Sequence, residues 1–333
     1  MEEIYQAAEL GRSEFLNKNI NLWQQLPGGN TALHIAAYHG HYKFVNLLLS
    51  PTSQPPTPDK MVAFLKHQNN RGNTSLHEAV RGGAHILMIK ELLNAETRLI
   101  RRLNGLNESA GLPEELNAET VSIRRHSDKD ESAGLSGRCN AEIESTAETS
   151  NTFEPARLPG ELNAETGVID MRNTEDESAL FTAAATGRLR IVNFLLQRGC
   201  AVYVTSRGET PLHYALDSEH YGVLESLLER KLWSVSQADD NRGWTILHIA
   251  ASKRNCPQSV VRTILEADPS LCYKTDKVHE QRALHIAAEQ GNTRIVSTIL
   301  KFGRPSVDIV DRDGRTALQR LLKTLSFMFS LYC

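Results

Sequence analysis

The sequence predicts an all-α solenoid of short helix-turn-helix repeats, interrupted by one long insert. Three observations carry this reading. A short pattern recurs in register along the 333 residues. Most of its copies fall near one fixed spacing. Where that spacing breaks, a different unit of 23 residues repeats in tandem.

The pattern reads NTALHIAAYHG from Asn30, NTSLHEAVRGG from Asn73, ESALFTAAATG from Glu177 and ETPLHYALDSE from Glu209. It continues as WTILHIAASKR from Trp244, QRALHIAAEQG from Gln281 and RTALQRLLKTL from Arg315. The shared leucine is Leu33, Leu76, Leu180, Leu212, Leu247, Leu284 and Leu318, at spacings of 43, 104, 32, 35, 37 and 34. A weaker copy opens the chain as IYQAAELGRSEFL from Ile4, without the Thr and His, as suits an N-terminal capping repeat.

Each position has a physical reason. Thr31, Thr74, Thr210, Thr245 and Thr316 stand where a helix begins. A hydroxyl there can accept from an orphan helical N–H, worth ~1 kcal/mol. Ser178 offers the same and Arg282 does not. Alanine pairs such as Ala36–Ala37 and Ala250–Ala251 keep the first helix thin, so neighbours approach closely. Gly40, Gly83, Gly187 and Gly291 end it, where a left-handed residue costs glycine little. A second helix follows with apolar residues at helical spacing, as in Ile191, Val192, Phe194, Leu195 and Leu196. Turns such as Asn70-Arg71-Gly72 and Asn241-Arg242-Gly243 lead into the next copy. One unit cannot bury its apolar face alone, so neighbours must stack.

Seven copies in register near a 33-residue period resemble the ankyrin-repeat family. The resemblance implies an ankyrin solenoid with hairpin turns that binds protein partners by its turn tips and the concave face of its first helices. On this sequence the tips are Arg71, Glu175, Arg207, Arg242, His279 and Asp313, and Trp244 follows a tip glycine as an aromatic anchor. The concave positions are Tyr38, His39, Arg81, Asp217, Ser218, Ser252, Lys253, Glu289 and Gln290. Arg71, Arg207 and Arg242 share one turn position, so stacking would set them along one edge as a broken basic line. Such a line would suit an acidic partner.

Five of the twelve histidines, His34, His77, His213, His248 and His285, share one repeat position. Equivalent positions stand one repeat apart and do not converge on a metal or substrate. The resemblance implies a structural imidazole there, bonded to Thr or backbone groups. His34, His39 and His41 are close in sequence, but no Cys or carboxylate set accompanies them for zinc. No GxSxG, GxGxxG, P-loop, HExxH or EF-hand spacing occurs, so no catalytic role and no cofactor is expected.

The gap of 104 between Leu76 and Leu180 has an internal order of its own. LNAET starts at Leu93, Leu116 and Leu162, and CNAEI at Cys139, always 23 residues apart. The first two units match at 13 of 23 positions, and the third matches the first at 8. Three units span 69 residues, and without them the spacing is an ordinary 35. An inter-repeat segment has therefore been copied in tandem inside one array. The extra copies lack a full helix pair and cannot offset their ordering entropy, so a flexible bulge is expected over 104–172. The expected organisation is repeats over 1–103, insert over 104–172 and repeats over 173–333, the last degenerate. PTSQPPTPD, at 51–59, holds four of the twelve prolines and reads as a stiff loop, with a PxxP-like Pro55–Pro58 as its alternative.

Charge and composition narrow the function classes. A net charge of −3 gives no electrostatic case for nucleic acid or an anionic membrane. Five scattered cysteines without a CxxC pair fit a reducing compartment. The start MEEIYQAAEL lacks a basic, then apolar leader, and no apolar run of membrane-spanning length occurs. A cytoplasmic location is expected. The phrases NNRGNTSLHEAV, DNRGWTILHIAA, LEADPSLCYKTDK and VDRDGRTALQ further resemble plant ankyrin proteins of the accelerated-cell-death type. That resemblance implies stress or defence signalling, and a PGG-opened membrane region after the repeats. Pro27-Gly28-Gly29 sits in an early repeat and is not that motif. Three functions stay open: a non-enzymatic protein-interaction module, the cytoplasmic portion of a membrane signalling protein attached at the inner face of the plasma membrane, and a substrate adaptor for a modifying enzyme.

The tandem copying has a direct test. Deleting residues 93–161 joins Leu92 to Leu162 and leaves a spacing of 35. The shortened chain should keep its helical circular dichroism and melt cooperatively at a similar or higher temperature, because loop entropy grows slowly with length. Aggregation of this variant would show the insert to be structural.

Overall fold

The structure is a computed structural model that describes residues 1–17, 22–50, 57–103, 167–230, 237–239 and 241–332. Its α-helices are α1 (Glu2–Glu9), α2 (Ala32–Tyr38), α3 (Tyr42–Leu49), α4 (Pro58–Leu65), α5 (Ser75–Gly82) and α6 (Ile86–Leu103). They continue as α7 (Ala179–Ala185), α8 (Leu189–Gln197), α9 (Pro211–Asp217), α10 (Tyr221–Glu229) and α11 (Ile246–Ser252). The last are α12 (Gln258–Ala267), α13 (Ala283–Glu289), α14 (Thr293–Thr298) and α15 (Ala317–Tyr332). No strand of two or more residues forms among the described residues; only isolated bridges such as Ala238–Thr245 and Thr275–Arg282 close the turns.

These helices build two layers. The first helices touch in the order α1, α2, α5, α7, α9, α11, α13, α15. The second helices touch in the order α3, α6, α8, α10, α12, α14. The core runs between the layers. Alanines 36, 37, 79, 183, 184, 215, 250, 251, 287 and 288 are buried there. α2 and α5 approach closely enough that a Cβ on Gly82 would collide with the Tyr38 carbonyl. The repeat leucines are buried in six copies, while Leu318 in the last is 63% exposed.

The histidines couple these layers. At each cap the backbone N–H of Thr31, Thr74, Thr210 and Thr245 donates to the Nδ1 of His34, His77, His213 and His248, at 3.1–3.3 Å. The Thr Oγ1 lies 2.8–2.9 Å from the same nitrogen. Accepting at Nδ1 assigns the proton to Nε2. That Nε2–H then donates to a carbonyl of the next repeat: His34 to Asn73 at 3.0 Å, His77 to Glu177 at 3.0 Å and His248 to Gln281 at 3.2 Å. His285 makes the equivalent bond to Ile309 at 3.0 Å. In the last copy Gln319 takes over the cap, its Oε1 accepting from the Thr316 N–H at 2.9 Å. Where Phe181 replaces His, the box is missing, and the buried Ser178 side chain makes no cap hydrogen bond. The expectation that Ser178 caps like Thr is thus corrected.

The array is continuous across the insert. α5 packs on α7, and α6 on α8. The Thr174 N–H donates to the Arg71 carbonyl at 3.0 Å, and Gln68 Nε2 to the Arg172 carbonyl at 2.7 Å. Two boundaries differ from expectation. Residues 167–172, assigned to the insert, are packed: Val168 is buried and its N–H donates to Glu96 Oε1 at 2.8 Å. The expected flexibility of 104–166 lies outside the described residues. The stiff loop expected over 51–59 ends early, because Pro58 opens α4, as its fixed φ allows at a first helical position. α4 packs on α6, and Phe64 meets Trp23 edge to face at 4.5 Å. Pro58 is therefore helical and unavailable to a PxxP ligand; residues 51–56 lie outside the described residues.

Two outcomes follow from this core. Leu247→Ala deletes a fully buried side chain and should cost about 2–5 kcal/mol in urea or thermal unfolding. Acid should also destabilise the array. Burial pulls His34 and His213 down to about 4 from 6.5, so the unfolded chain protonates first as pH falls. Their stability contribution is full above 6.5 and is lost between 6.5 and about 4. The loss is on the order of 3 kcal/mol for each site. His77, His248 and His285 shift in the same direction, also by burial. Urea midpoints should fall steeply between pH 7 and pH 5, and His34→Gln should flatten that slope, since Gln319 shows that the cap survives without a titrating ring. An unchanged slope would remove the histidines from the account.

Candidate protein-binding face

The first helices and the turns open two grooves on one face. Groove one has a volume of about 420 Å³ and lies over α2 and α5. Groove two, of about 430 Å³, lies over α9 and the turn before α11. The turns that wall them are held tip to tip by backbone bonds. Asn70 N–H donates to the Gly28 carbonyl at 3.0 Å, Lys277 to Arg242 at 2.7 Å and Arg312 to His279 at 2.9 Å.

Groove one gathers Tyr38, His39, Arg71 and Arg81. The Arg81 guanidinium lies 5.3 Å from the Tyr38 ring centroid and pairs with Glu78 at 3.0 Å. Glu78 is buried and also accepts from Asn69 Nδ2 at 3.0 Å and Asn73 Nδ2 at 2.9 Å. A buried carboxylate with three donors is fixed in place, and it fixes Arg81 over Tyr38 in turn.

Groove two gathers Arg207, Asp217, Arg242 and Trp244, with Tyr214 and His213 beside them. Arg242 stands 4.9 Å from the Trp244 ring. Tyr214 donates its hydroxyl to Glu209 Oε2 at 3.2 Å. Burial first, then the neighbouring Glu177 and Glu209 carboxylates, push that phenol well up from its ordinary value.

The expected site residues divide. Ten of them line the grooves: Tyr38, His39, Arg71 and Arg81 in one, and Glu175, Arg207, Asp217, Ser218, Arg242 and Trp244 in the other. Lys253 instead ties α11 to α9, its Nζ 2.9 Å from Asp217 Oδ1 and 2.6 Å from the Asp217 carbonyl. Glu289 lines neither groove; it pairs at 3.1 Å with Arg320, which also holds Asp311 and Asp313 and docks α15 on α13. The basic line is interrupted as well as broken, because Arg207 pairs with Glu175. Sequence reasoning missed Glu78, Glu177, Glu209 and Tyr214. Its available signal was the position just before each cap, where Asn30, Asn73, Glu177 and Glu209 recur.

Among the described residues no three His, Cys, Asp or Glu side chains are placed to hold a metal ion. Burial pushes the thiols of Cys256 and Cys272 up to about 12 and about 11, so neither ionises near neutral pH. No helix among the described residues is long and apolar enough to cross a membrane. The pattern of the family described as ankyrin repeats matches three copies, over residues 4–102, 161–236 and 247–324. The chain belongs to the ankyrin-repeat family. Ankyrin repeats are protein-interaction scaffolds. Among similar proteins is palmitoyltransferase AKR1 of Lachancea kluyveri, 30% identical over 46% of this chain and 21% of its own length. The probable 26S proteasome regulatory subunit p28 of Saccharomyces cerevisiae is 31% identical over 38% of this chain and 56% of its own. The nuclear factor NF-kappa-B p105 subunit of Gallus gallus is 28% identical over 45% and 15%. The ankyrin chain thus spans less than two thirds of each of these relatives.

The two arginine classes separate by stability. Arg207→Ala and Arg242→Ala remove exposed side chains and should each move unfolding by less than about 0.5 kcal/mol. Arg320→Ala strips the partner from a fully buried Asp311 carboxylate and should cost about 1–3 kcal/mol. Thermal melts that rank them the other way would reverse the division into groove and latch.

Proposed function

We propose that this ankyrin array is a non-enzymatic scaffold that docks a protein partner on its grooved face. The observation that carries this is the pairing of aromatic and arginine side chains, Tyr38 with Arg81 and Trp244 with Arg242, at two places along one face. Such side chains are enriched where binding energy concentrates. In this reading Arg71, Arg207 and Arg242 contact the partner from the tips, and Tyr38, His39, Arg81 and Asp217 from the floor. The partner is a protein and not a nucleic acid. The proposed setting is the cytoplasm, in stress or defence signalling, which rests on the resemblance of the repeat phrases to accelerated-cell-death ankyrin proteins. The names of the similar palmitoyltransferase and proteasome subunit support a second reading, as the adaptor part of a larger assembly.

The test is capture from native extract. Tyr38→Ala/Arg81→Ala and Arg242→Ala/Trp244→Ala should each lower partner affinity, by about 1–2 kcal/mol or more per anchor lost. Undiminished capture by both double variants would move binding off this face.

A further inference from the structure

The two grooves differ in the sign of the charge they leave free. Groove two is walled by Glu175, Glu177, Glu209, Asp217 and Asp239 against Arg207 and Arg242. Groove one sets Arg71 and Arg81 against Glu78, the one carboxylate among its described lining residues. That carboxylate is already satisfied. It is buried, and it takes Asn69 Nδ2, Asn73 Nδ2 and Arg81 Nη2 at 2.9–3.0 Å. Groove one therefore presents a surplus of positive charge.

Both cations of groove one are held in position. Arg71 is exposed and makes no ion pair among the described residues, yet its backbone is pinned on both sides. Its N–H donates to Asn69 Oδ1 at 2.9 Å, and its carbonyl accepts from the Thr174 N–H at 3.0 Å and the Thr174 hydroxyl at 2.8 Å. Arg81 is fixed through Nη2 by Glu78, with its guanidinium 5.3 Å from the Tyr38 ring centroid. Its remaining N–H groups have no acceptor among the described residues. A guanidinium is a planar fork of donors that fits a carboxylate with two parallel bonds. One that is already ordered loses little freedom on binding. Beside the cations, Tyr5, Ile35 and Tyr38 give the groove an apolar wall.

We infer that groove one takes an extended acidic segment of a protein partner, with Asp or Glu carboxylates on Arg71 and Arg81 and an apolar side chain between them against Tyr5 and Ile35. The charge on the rest of the face fixes where that segment lies. Groove two repels it through its surplus carboxylates, and Arg207 there is already paired with Glu175. The acidic partner suggested by the arginine tips is thus met at one end of the line, not along its whole length. This inference rests on the scaffold reading and names the partner's chemistry for one groove.

The test uses the full chain and three fluorescent Gly/Ser peptides, alike except that glutamates, glutamines or arginines flank a central leucine. Anisotropy should show the glutamate peptide binding, and the glutamine and arginine peptides binding about tenfold more weakly or worse, since glutamine keeps the shape and loses the charge. Arg71→Gln should weaken the glutamate peptide severalfold, and Arg71→Gln/Arg81→Gln about tenfold or more. Arg190→Gln removes the same charge from an exposed position on α8, in the other layer, and should leave the peptide bound. If the double variant melts lower than the parent, Arg71→Gln alone decides, because that side chain holds no ion pair in the fold. A glutamate peptide that fails to bind, that binds no better than its glutamine counterpart, or that ignores Arg71→Gln overturns the inference. So does an oligothymidylate of equal charge that binds as tightly with the same dependence on Arg71, which would make the groove a phosphate site. Failure here together with partner capture that still depends on Tyr38 and Arg81 leaves the scaffold standing. Failure of both removes the scaffold reading too.

Discussion

In four of the repeats one imidazole does two jobs that the stacking depends on. Through Nδ1 it closes the start of its own helix, and through Nε2 it reaches the backbone of the next repeat. A side chain that stabilises one unit in isolation would give a string of independent hairpins. A side chain that needs its neighbour's carbonyl makes folding cooperative from unit to unit. The bond forms in an apolar gap, so it depends on a neutral ring, which burial enforces.

The same stacking sets up the functional face. The cap, the residue before it and the turn tip recur with the repeat, so each becomes a row along the solenoid. Rows of ordinary residues build the grooves, and departures within a row give them character. Glu177 and Glu209 replace the Asn30 and Asn73 of earlier copies, and the groove beside them turns acidic. Glu78 acts the other way: its burial among two asparagines and Arg81 stiffens groove one without adding free negative charge.

The insert shows how little a repeat array needs from its connections. A chain interruption between α6 and the segment at 167 leaves α5 against α7 and α6 against α8. The junction is fixed by the His77–Glu177 bond, the Arg71–Thr174 tip bond and Glu96 holding the returning Val168. All three belong to the repeats on either side. Tandem copies could therefore accumulate in the connection without displacing the face that the flanking repeats build.

The repeat grammar was legible in the sequence: the T-x-L-H phrases gave the helix pairs, their order and the structural role of the histidines. It was legible because stacking is a local rule applied many times, and a pattern in the chain becomes a pattern in space. The ten groove residues drawn from tips and concave positions were legible for the same reason. Tertiary structure alone decided what side chains do once their neighbours arrive. Glu289 and Lys253 read as exposed and became ion-pair partners, because Arg320 and Asp217 come from other repeats. Pro58 read as loop and became a helix start, because α6 extends far enough to cover Met61, Phe64 and Leu65. The sign of each groove also waited on the fold, since it depends on which charges pair across repeats, and pairing across a distance leaves no local trace in sequence.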